Sequence, residues 1–376
     1  MSETILLGAG ASVEAGIPET YGLTEKVLNS FHSTSDDAHL LKFLLGGLLF
    51  QKGIRGESPI DGKINIESLL NTLQLLSNRY TTEISPFVSS WHPIIDELEK
   101  TFDVRPQSEF HPLMRSVTRP NINANEFVAA IKDLFEKYST RPQNVVIYQR
   151  VREKIMERLK KILWIEDVGK VEYFKPLLNL FKKQDGLTVT SLNYDNSIEL
   201  FSSSNSVECN TQMGNWSKEG RLDFGKNQFN LIKLHGSINW AKYTYPPTSE
   251  RPIPQGGIVI MSEKEMFDKP YLPQIIFGIS NKLTTDGPYL DLLREFQKTL
   301  SASSKLTIVG YSFRDEHINH YISQWINSDP ENLITIVDPD NSIYQSDYFK
   351  KWGSLISGRV IFCKKKASEG LKDLYS

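Results

Sequence analysis

Cysteine is nearly missing from this chain: Cys209 and Cys363 are the only two in 376 residues. Two thiols cannot build a zinc site of four thiolates, nor the disulfide framework that staples a small secreted fold. A reducing, cytoplasmic home is therefore expected, and no metal site. Long hydrophobic runs are missing as well. The greasiest stretch, Leu40 to Phe50, is interrupted by Lys42, Gly46 and Gly47, and it is too short to cross a bilayer. The first residues do not read as a signal peptide, because acidic Glu3 precedes an apolar run of only a few residues. Charge excess is lacking too. Lys and Arg number 43 against 45 Asp and Glu, a formal net charge of -2, which argues against a general nucleic-acid or anionic-membrane binder. The run Lys364-Lys365-Lys366 reads as a solvated face.

What is present begins at once. Thr4-Ile5-Leu6-Leu7 is a short apolar run of the kind that makes a buried strand, and Gly8-Ala9-Gly10-Ala11-Ser12 follows directly, then Gly16-Ile17-Pro18. A strand that runs into small residues and a helix start is a phosphate cradle. Glycines admit a ligand close to the backbone, and the helix offers free N–H groups and its positive dipole end. Ser12 suits either a helix cap or a donor to phosphate. The dinucleotide fingerprint of dehydrogenases would need its third glycine at Val13, and here the next glycine is Gly16. A tight strand–helix turn without a ligand is the plainer alternative.

From Tyr21 to Gln184 helical periodicity dominates: Leu40, Leu41, Leu44, Leu45, Leu48; then Leu69, Leu70, Leu73, Leu76; then Phe127, Ala130, Ile131, Leu134; then Val151, Ile155, Leu159, Ile162, Leu163. Prolines 86, 93, 106, 112, 120 and 142 punctuate it. Strand-like runs resume at 187–190, 230–234, 257–260, 305–309, 333–337 and 360–362, with amphipathic helices expected at 289–300 and 316–325. The expected fold is α/β: a Rossmann-like, doubly wound parallel sheet from residues 1–20 and 185–376, with a large helical insertion, 21–184, after the first strand. The insertion is expected to serve oligomerisation or gating.

In such a sheet ligands bind beyond the carboxyl ends of the strands. Five strands here end in glycine or polar signatures: Gly8 to Ser12, Asn193 to Asp195, His235-Gly236, Gly310 to Ser312, and Asp338. His235 suits a general base, since imidazole titrates near neutrality. Asn193 offers an uncharged acceptor and donor for a ribose hydroxyl or a water. Asp195 can hold a carboxamide or cap the next helix. Asp338 can grip ribose hydroxyls, and Gly310 with Ser312 forms a small turn against which phosphate or ribose can lie. Together these suit a dinucleotide. A base beside an asparagine, with no hydride-transfer partner in view, suits cleavage of a ribose–base bond through an oxocarbenium-like state.

At this point the motifs resemble those of sirtuins. Gly8 to Ser12 with Gly16-Ile17-Pro18 resembles their first motif. Ser191-Leu192-Asn193-Tyr194-Asp195 resembles their threonine-glutamine-asparagine-x-aspartate. Leu234-His235-Gly236 resembles their catalytic histidine-glycine, and Gly310-Tyr311-Ser312 their glycine-threonine-serine. The resemblance implies NAD+ as substrate and Asn193 with His235 as the catalytic pair. It also implies Asp195 on the nicotinamide carboxamide, and Ala9, Gly10, Ser12, Gly310, Ser312 and Asp338 on the rest of NAD+. Sirtuin deacylases carry a four-cysteine zinc module after the histidine-glycine, and this chain has no cysteine there. That departure is similar to the sirtuin-like NAD+ hydrolases of bacterial anti-phage defence, which destroy NAD+ on infection. With fewer than forty residues after Asp338, the chain is most similar to the sirtuin-like subunit that pairs with a HerA-type ATPase and forms large rings. A homo-oligomer is expected on the same ground. A non-catalytic NAD+ or ADP-ribose sensor, and a protein deacylase or ADP-ribosyltransferase, are the alternatives.

Overall fold

Ten strands and eleven α-helices lie in the residues that the computed structural model describes: 2–56, 63–79, 145–249, 252–253, 255–277, 287–340, 349 and 358–376. The strands are β1 (Glu3–Leu7), β2 (Leu187–Ser191), β3 (Cys209–Asn210), β4 (Phe229–Lys233), β5 (Gly236–Tyr245), β6 (Gln255–Ile260), β7 (Pro273–Ile275), β8 (Lys305–Val309), β9 (Leu333–Val337) and β10 (Val360–Cys363). The helices are α1 (Thr20–Asn29), α2 (Asp36–Ile54), α3 (Ile66–Ser77), α4 (Val145–Leu163), α5 (Pro176–Gln184), α6 (Ser197–Ser204), α7 (Met213–Glu219), α8 (Glu263–Asp268), α9 (Tyr289–Ser301), α10 (Glu316–Ser328) and α11 (Ala367–Tyr375).

Seven strands form one sheet in the order β10-β9-β8-β1-β2-β4-β3, and every pairing in it is parallel. The fold is α/β, with a helical insertion between β1 and β2, as the alternation of patterns predicts. Central β1 is buried from Thr4 onward, which is why it reads as an apolar run rather than an alternating one. The pleat sends alternate residues to opposite faces. Leu6, Ile308, Ile334 and Ile336 join Leu292 and Phe296 of α9 and Ile322 and Trp325 of α10 in one apolar cluster. Val337, one residue on from Ile336, lies instead against Gly370 of α11.

From β1 the chain passes through the insertion to β2, β3 and β4 on one side, then crosses to β8, β9 and β10 on the other. The strand order therefore reverses between β8 and β1, the place at which such sheets generally bind ligands.

Two compact units divide the chain, Met1–Ser68 with Met156–Ser376 and, by itself, Leu69–Ile155. The second unit is helical in its described residues: Leu69, Leu70 and Leu73 of α3 and Tyr148, Val151 and Ile155 of α4 are buried at helical spacing. The apolar set at 127–134 and the six punctuating prolines lie outside the described residues.

Two expectations are corrected. No α-helix follows Ser12: residues Ala9–Ser12 form one 3-10 turn, and α1 begins only at Thr20. The small residues that looked like a helix start favour a tight turn, because Gly16 has φ +89° and stops the helix from continuing. The residues after His235 form strand β5, and 257–260, expected in the main sheet, does not join it. Strands β6, β5 and β7 make a second, antiparallel sheet. Side chains tie it down: Ser217 Oγ donates to Ile258 O (2.8 Å) and accepts from Ile258 N–H (2.7 Å), and Tyr271 donates to Ile238 O (2.6 Å). Buried Lys160 donates to Met266 O (3.2 Å) and lies 4.4 Å from the Tyr271 ring.

Candidate active site at the carboxyl rim of the sheet

Five neighbouring parallel strands end at one edge. In spatial order they carry Asp338 (after β9), Gly310 and Ser312 (after β8), Gly8 to Ser12 (after β1), Asn193 and Asp195 (after β2) and His235 (after β4). Four strand-to-strand steps of about 4.8 Å make this rim roughly 19 Å long, the scale of a dinucleotide rather than a mononucleotide. Hydrogen bonds run along it without a break. Gly310 N–H donates to Val337 O (3.0 Å), Gly8 N–H to Val309 O (2.9 Å), Leu192 N–H to Leu7 O (2.9 Å) and Leu234 N–H to Ser191 O (3.0 Å).

The glycines here meet one another. Gly10 N–H donates to Gly310 O at 2.8 Å. A Cβ on Gly8 would lie 2.5 Å from Gly310 O, and one on Gly310, whose φ is +61°, 2.3 Å from Ala11 N. Both motifs need glycine so that two strand-end backbones can touch, whatever else approaches them. Ala9 is exposed and Gly10 half-buried, Ser312 is exposed, and Ser12 is buried.

Asn193 is 7 % exposed. Its amide donates to Gly8 O (2.9 Å) and to Ser12 Oγ (3.0 Å). The asparagine thus fixes the first motif, and Ser12 is its acceptor rather than a helix cap. No described residue donates to Asn193 Oδ1, which leaves an acceptor for a hydroxyl or a water. Asp195 is buried, and its Oδ1 accepts from Ser197 N–H (3.0 Å), at the start of α6. Next to it, Asn196 grips Ile165 from both sides, accepting from its N–H (2.8 Å) and donating to its O (2.9 Å).

His235 is 6 % exposed. Its Nδ1 lies 3.1 Å from Leu192 O and its Nε2 3.0 Å from Asp315 Oδ2. The imidazole therefore sits against the backbone of the residue just before Asn193, on the same rim. Gly236 has φ +81°, and a Cβ there would lie 2.0 Å from Gln274 O. That glycine turns the chain out of the main sheet and into the small one. Tyr194 reaches the same place from β2: its ring is 6.3 Å from that of His235, and its hydroxyl donates to Glu67 Oε1 (2.8 Å) at the start of α3. Burial, then Glu67, pushes the Tyr194 hydroxyl well above the ordinary tyrosine pKa.

Asp338 sits half-buried beyond β9, with Oδ1 accepting from Asp340 N–H (2.8 Å). Burial raises its carboxyl pKa, and the nearby Asp340 and Glu19 carboxylates add to the rise while the Asp340 N–H opposes it.

Two residues escape motif reading. Lys233, buried on β4, donates to Asp195 O (2.5 Å), Glu199 Oε1 (2.9 Å) and Ser237 Oγ (2.7 Å) and so locks the turn that carries Asp195. Asp315 caps α10, with Oδ1 accepting from His317 N–H (3.1 Å), and turns its other oxygen to His235. Its sequence signal is only that of a helix N-cap. Among the described residues no group of three or more His, Cys, Asp or Glu could hold a metal ion, and no helix is long and apolar enough to cross a membrane.

The family described as a SIR2-like domain matches residues 187–356, which hold β2 to β9 but not the first glycine motif. Among solved structures, the chain is similar to a Sir2 homologue variant in complex with 2'-O-acetyl ADP-ribose (12 % identity, 99 % of this chain and 90 % of that one, TM-score 0.41). It is also similar to Sir2Tm bound to a propionylated peptide (12 % identity, 99 % and 91 %, TM-score 0.40), and to Sir2 with a p53 peptide and NAD+ (12 % identity, 99 % and 91 %, TM-score 0.38). No curated protein matches the chain.

Proposed function

We propose that this protein is an NAD+ glycohydrolase that splits the nicotinamide–ribose bond to give nicotinamide and ADP-ribose. The observation that carries it is the row of five signatures on five adjacent strand ends, with Asn193 and His235 joined through the Leu192 carbonyl. On this reading Ala9, Gly10, Ser12, Gly310 and Ser312 face the phosphates and neighbouring sugar, and Asp338 takes the adenosine ribose. Asp195 takes the nicotinamide carboxamide. The scissile bond lies at the Asn193–His235 end. Nicotinamide is a good leaving group, because it departs neutral with the bonding pair. The site must then position water, exclude its bulk and accept one proton. Asn193 Oδ1 orients the water or a ribose hydroxyl, and His235 takes the proton.

Incubation with NAD+, alone and with infection-derived activators or a HerA-type ATPase, tests the proposal. Nicotinamide release in any arm is expected. No release in every arm overturns it. Such an activity suits anti-phage defence by NAD+ depletion, and it must be silent at rest. The insertion, residues 21–184, is the proposed gate, acting through homo-oligomerisation or the ATPase partner. The contact of Glu67 with Tyr194 beside His235 supports that role.

A second reading, a non-catalytic sensor of NAD+ or ADP-ribose, is favoured by one observation: both ring nitrogens of His235 and the amide of Asn193 already face protein acceptors. Tight NAD+ binding without turnover would select it.

A further inference from the structure

We propose that Asp315 is a positioning residue for His235, so that the acid–base group of this site is the His235–Asp315 pair and not the imidazole alone. The proposal rests on the hydrolase reading for its catalytic half and on geometry for the pair itself.

A carbonyl oxygen and a carboxylate oxygen both accept hydrogen bonds. His235 presents Nδ1 to the first, Leu192 O at 3.1 Å, and Nε2 to the second, Asp315 Oδ2 at 3.0 Å. A neutral imidazole has one N–H and one lone pair, so one of the two contacts would set a lone pair against an oxygen. With Asp315 ionised, both contacts are hydrogen bonds only when both nitrogens carry hydrogen. With neutral histidine, Nε2–H donates to the Asp315 carboxylate and Nδ1 keeps the lone pair that takes a proton. Once Nδ1 has taken that proton, Leu192 O accepts from it and the pair is neutral as a whole. A neutral pair is the electrostatically suitable neighbour for a ribosyl cation, which a lone imidazolium would repel.

Asp315 is held rather than mobile. Its Oδ1 accepts from His317 N–H (3.1 Å) as the cap of α10, and its own N–H donates to Tyr311 OH (3.2 Å), which in turn donates to Asn319 Oδ1 (2.9 Å). The helix start therefore aims the carboxylate, and the ring orientation follows from α10. Among the described residues, other titratable groups come from the neighbouring elements. Tyr194, bound to Glu67 of α3, packs beside the ring, and Tyr289 of α9 lies against Gly236. Lys233 lies two residues back on β4 with Glu199 as its partner.

Asp315→Asn and Asp315→Ser are the informative variants. Asn and Ser cap helices as well as Asp does, so α10 keeps its start while the charge, or the reach to Nε2, is lost. In Asp315→Asn the side-chain amide can donate to Nε2, which then favours the neutral ring with hydrogen on Nδ1. Imidazole nitrogen NMR on the full chain, with His235 assigned by His235→Gln, reads this directly. In the neutral ring the hydrogen is expected on Nε2 in the parent and on Nδ1 in Asp315→Asn. Nicotinamide release is expected to fall about 10²–10³-fold in kcat with KM changed less than about threefold. The same tautomer in parent and Asp315→Asn overturns the pair. Parent-like kcat in both variants overturns the catalytic role. A parent chain that releases no nicotinamide in any condition defeats the hydrolase reading and that role together, while the nitrogen shifts still decide the pair.

Discussion

The two halves of the rim are held by opposite means. On β1 and β8 the strand ends touch through Gly8, Gly10 and Gly310, and what positions them is the lack of side chains. On β2, β4 and α10 they are positioned by side-chain hydrogen bonds: Asn193 to Ser12, Lys233 to Glu199 and His235 to Asp315. Asn193 joins the halves, since its amide holds Gly8 O and Ser12 Oγ from across the sheet. The glycine half has no room for bulk, whereas the polar half depends on its donors and acceptors. Substitutions break this contrast in a ranked way.

The largest effect is expected at Gly310→Val. A Cβ there meets backbone at 2.3 Å with φ +61°, and strain with overpacking should cost about 2–5 kcal/mol. Denaturant unfolding measures it, and a parent-like midpoint would remove the case for backbone contact. Next is His235→Ala, for which the proposed base predicts a loss of about 10²–10⁴-fold in nicotinamide release with NAD+ binding retained. Single-turnover assay and calorimetry separate the two. Asn193→Ala should act on both halves at once. It removes two donors from buried acceptors, costs about 1–3 kcal/mol, and loosens the first motif, so NAD+ affinity should fall along with stability. Unchanged affinity would show that the two halves are not coupled.

The smallest effect is expected at Asp338→Asn. Its carboxyl pKa is raised by burial first, so ionisation works against the folded state. That penalty is absent below the usual carboxylate range and grows as pH rises through the raised pKa. The amide removes it and can still accept from Asp340 N–H. Asp338→Asn should therefore melt slightly higher than the parent at neutral pH and no higher at about pH 3.5, as thermal scans at both would show. If Asp338 grips a ribose, the same variant weakens NAD+ binding while kcat holds.

The halves also differ in how legible they are. The glycines and the apolar runs before them are local features, and β1, β2, β4, β8, β9 and β10 stand where those runs predict. The helices after Pro288 and Asp315 follow the same logic of stripe and cap. The polar half was visible only as residue types. Nothing local says that Asn193 donates to a carbonyl 185 residues away, or that His235 meets a carboxylate 80 residues on. The expected helix after Ser12 failed because small residues serve a tight turn as well as a cap. The second sheet was missed because its long strand β5 begins at the glycine of a histidine-glycine motif, where a turn signal masks a strand start.

By itself the amino-acid order determined the class of fold, the edge at which the five strand-end signatures gather and the scarcity of thiols, because periodicity, strand-end punctuation and composition are properties of short windows. Only the tertiary structure decided which polar groups are bound to protein and which remain for a ligand. It decided, too, that the glycines face each other and that α10 supplies the partner of His235. Hydrogen-bond pairing across the rim joins residues that are distant along the chain, and no short window contains both ends of such a bond.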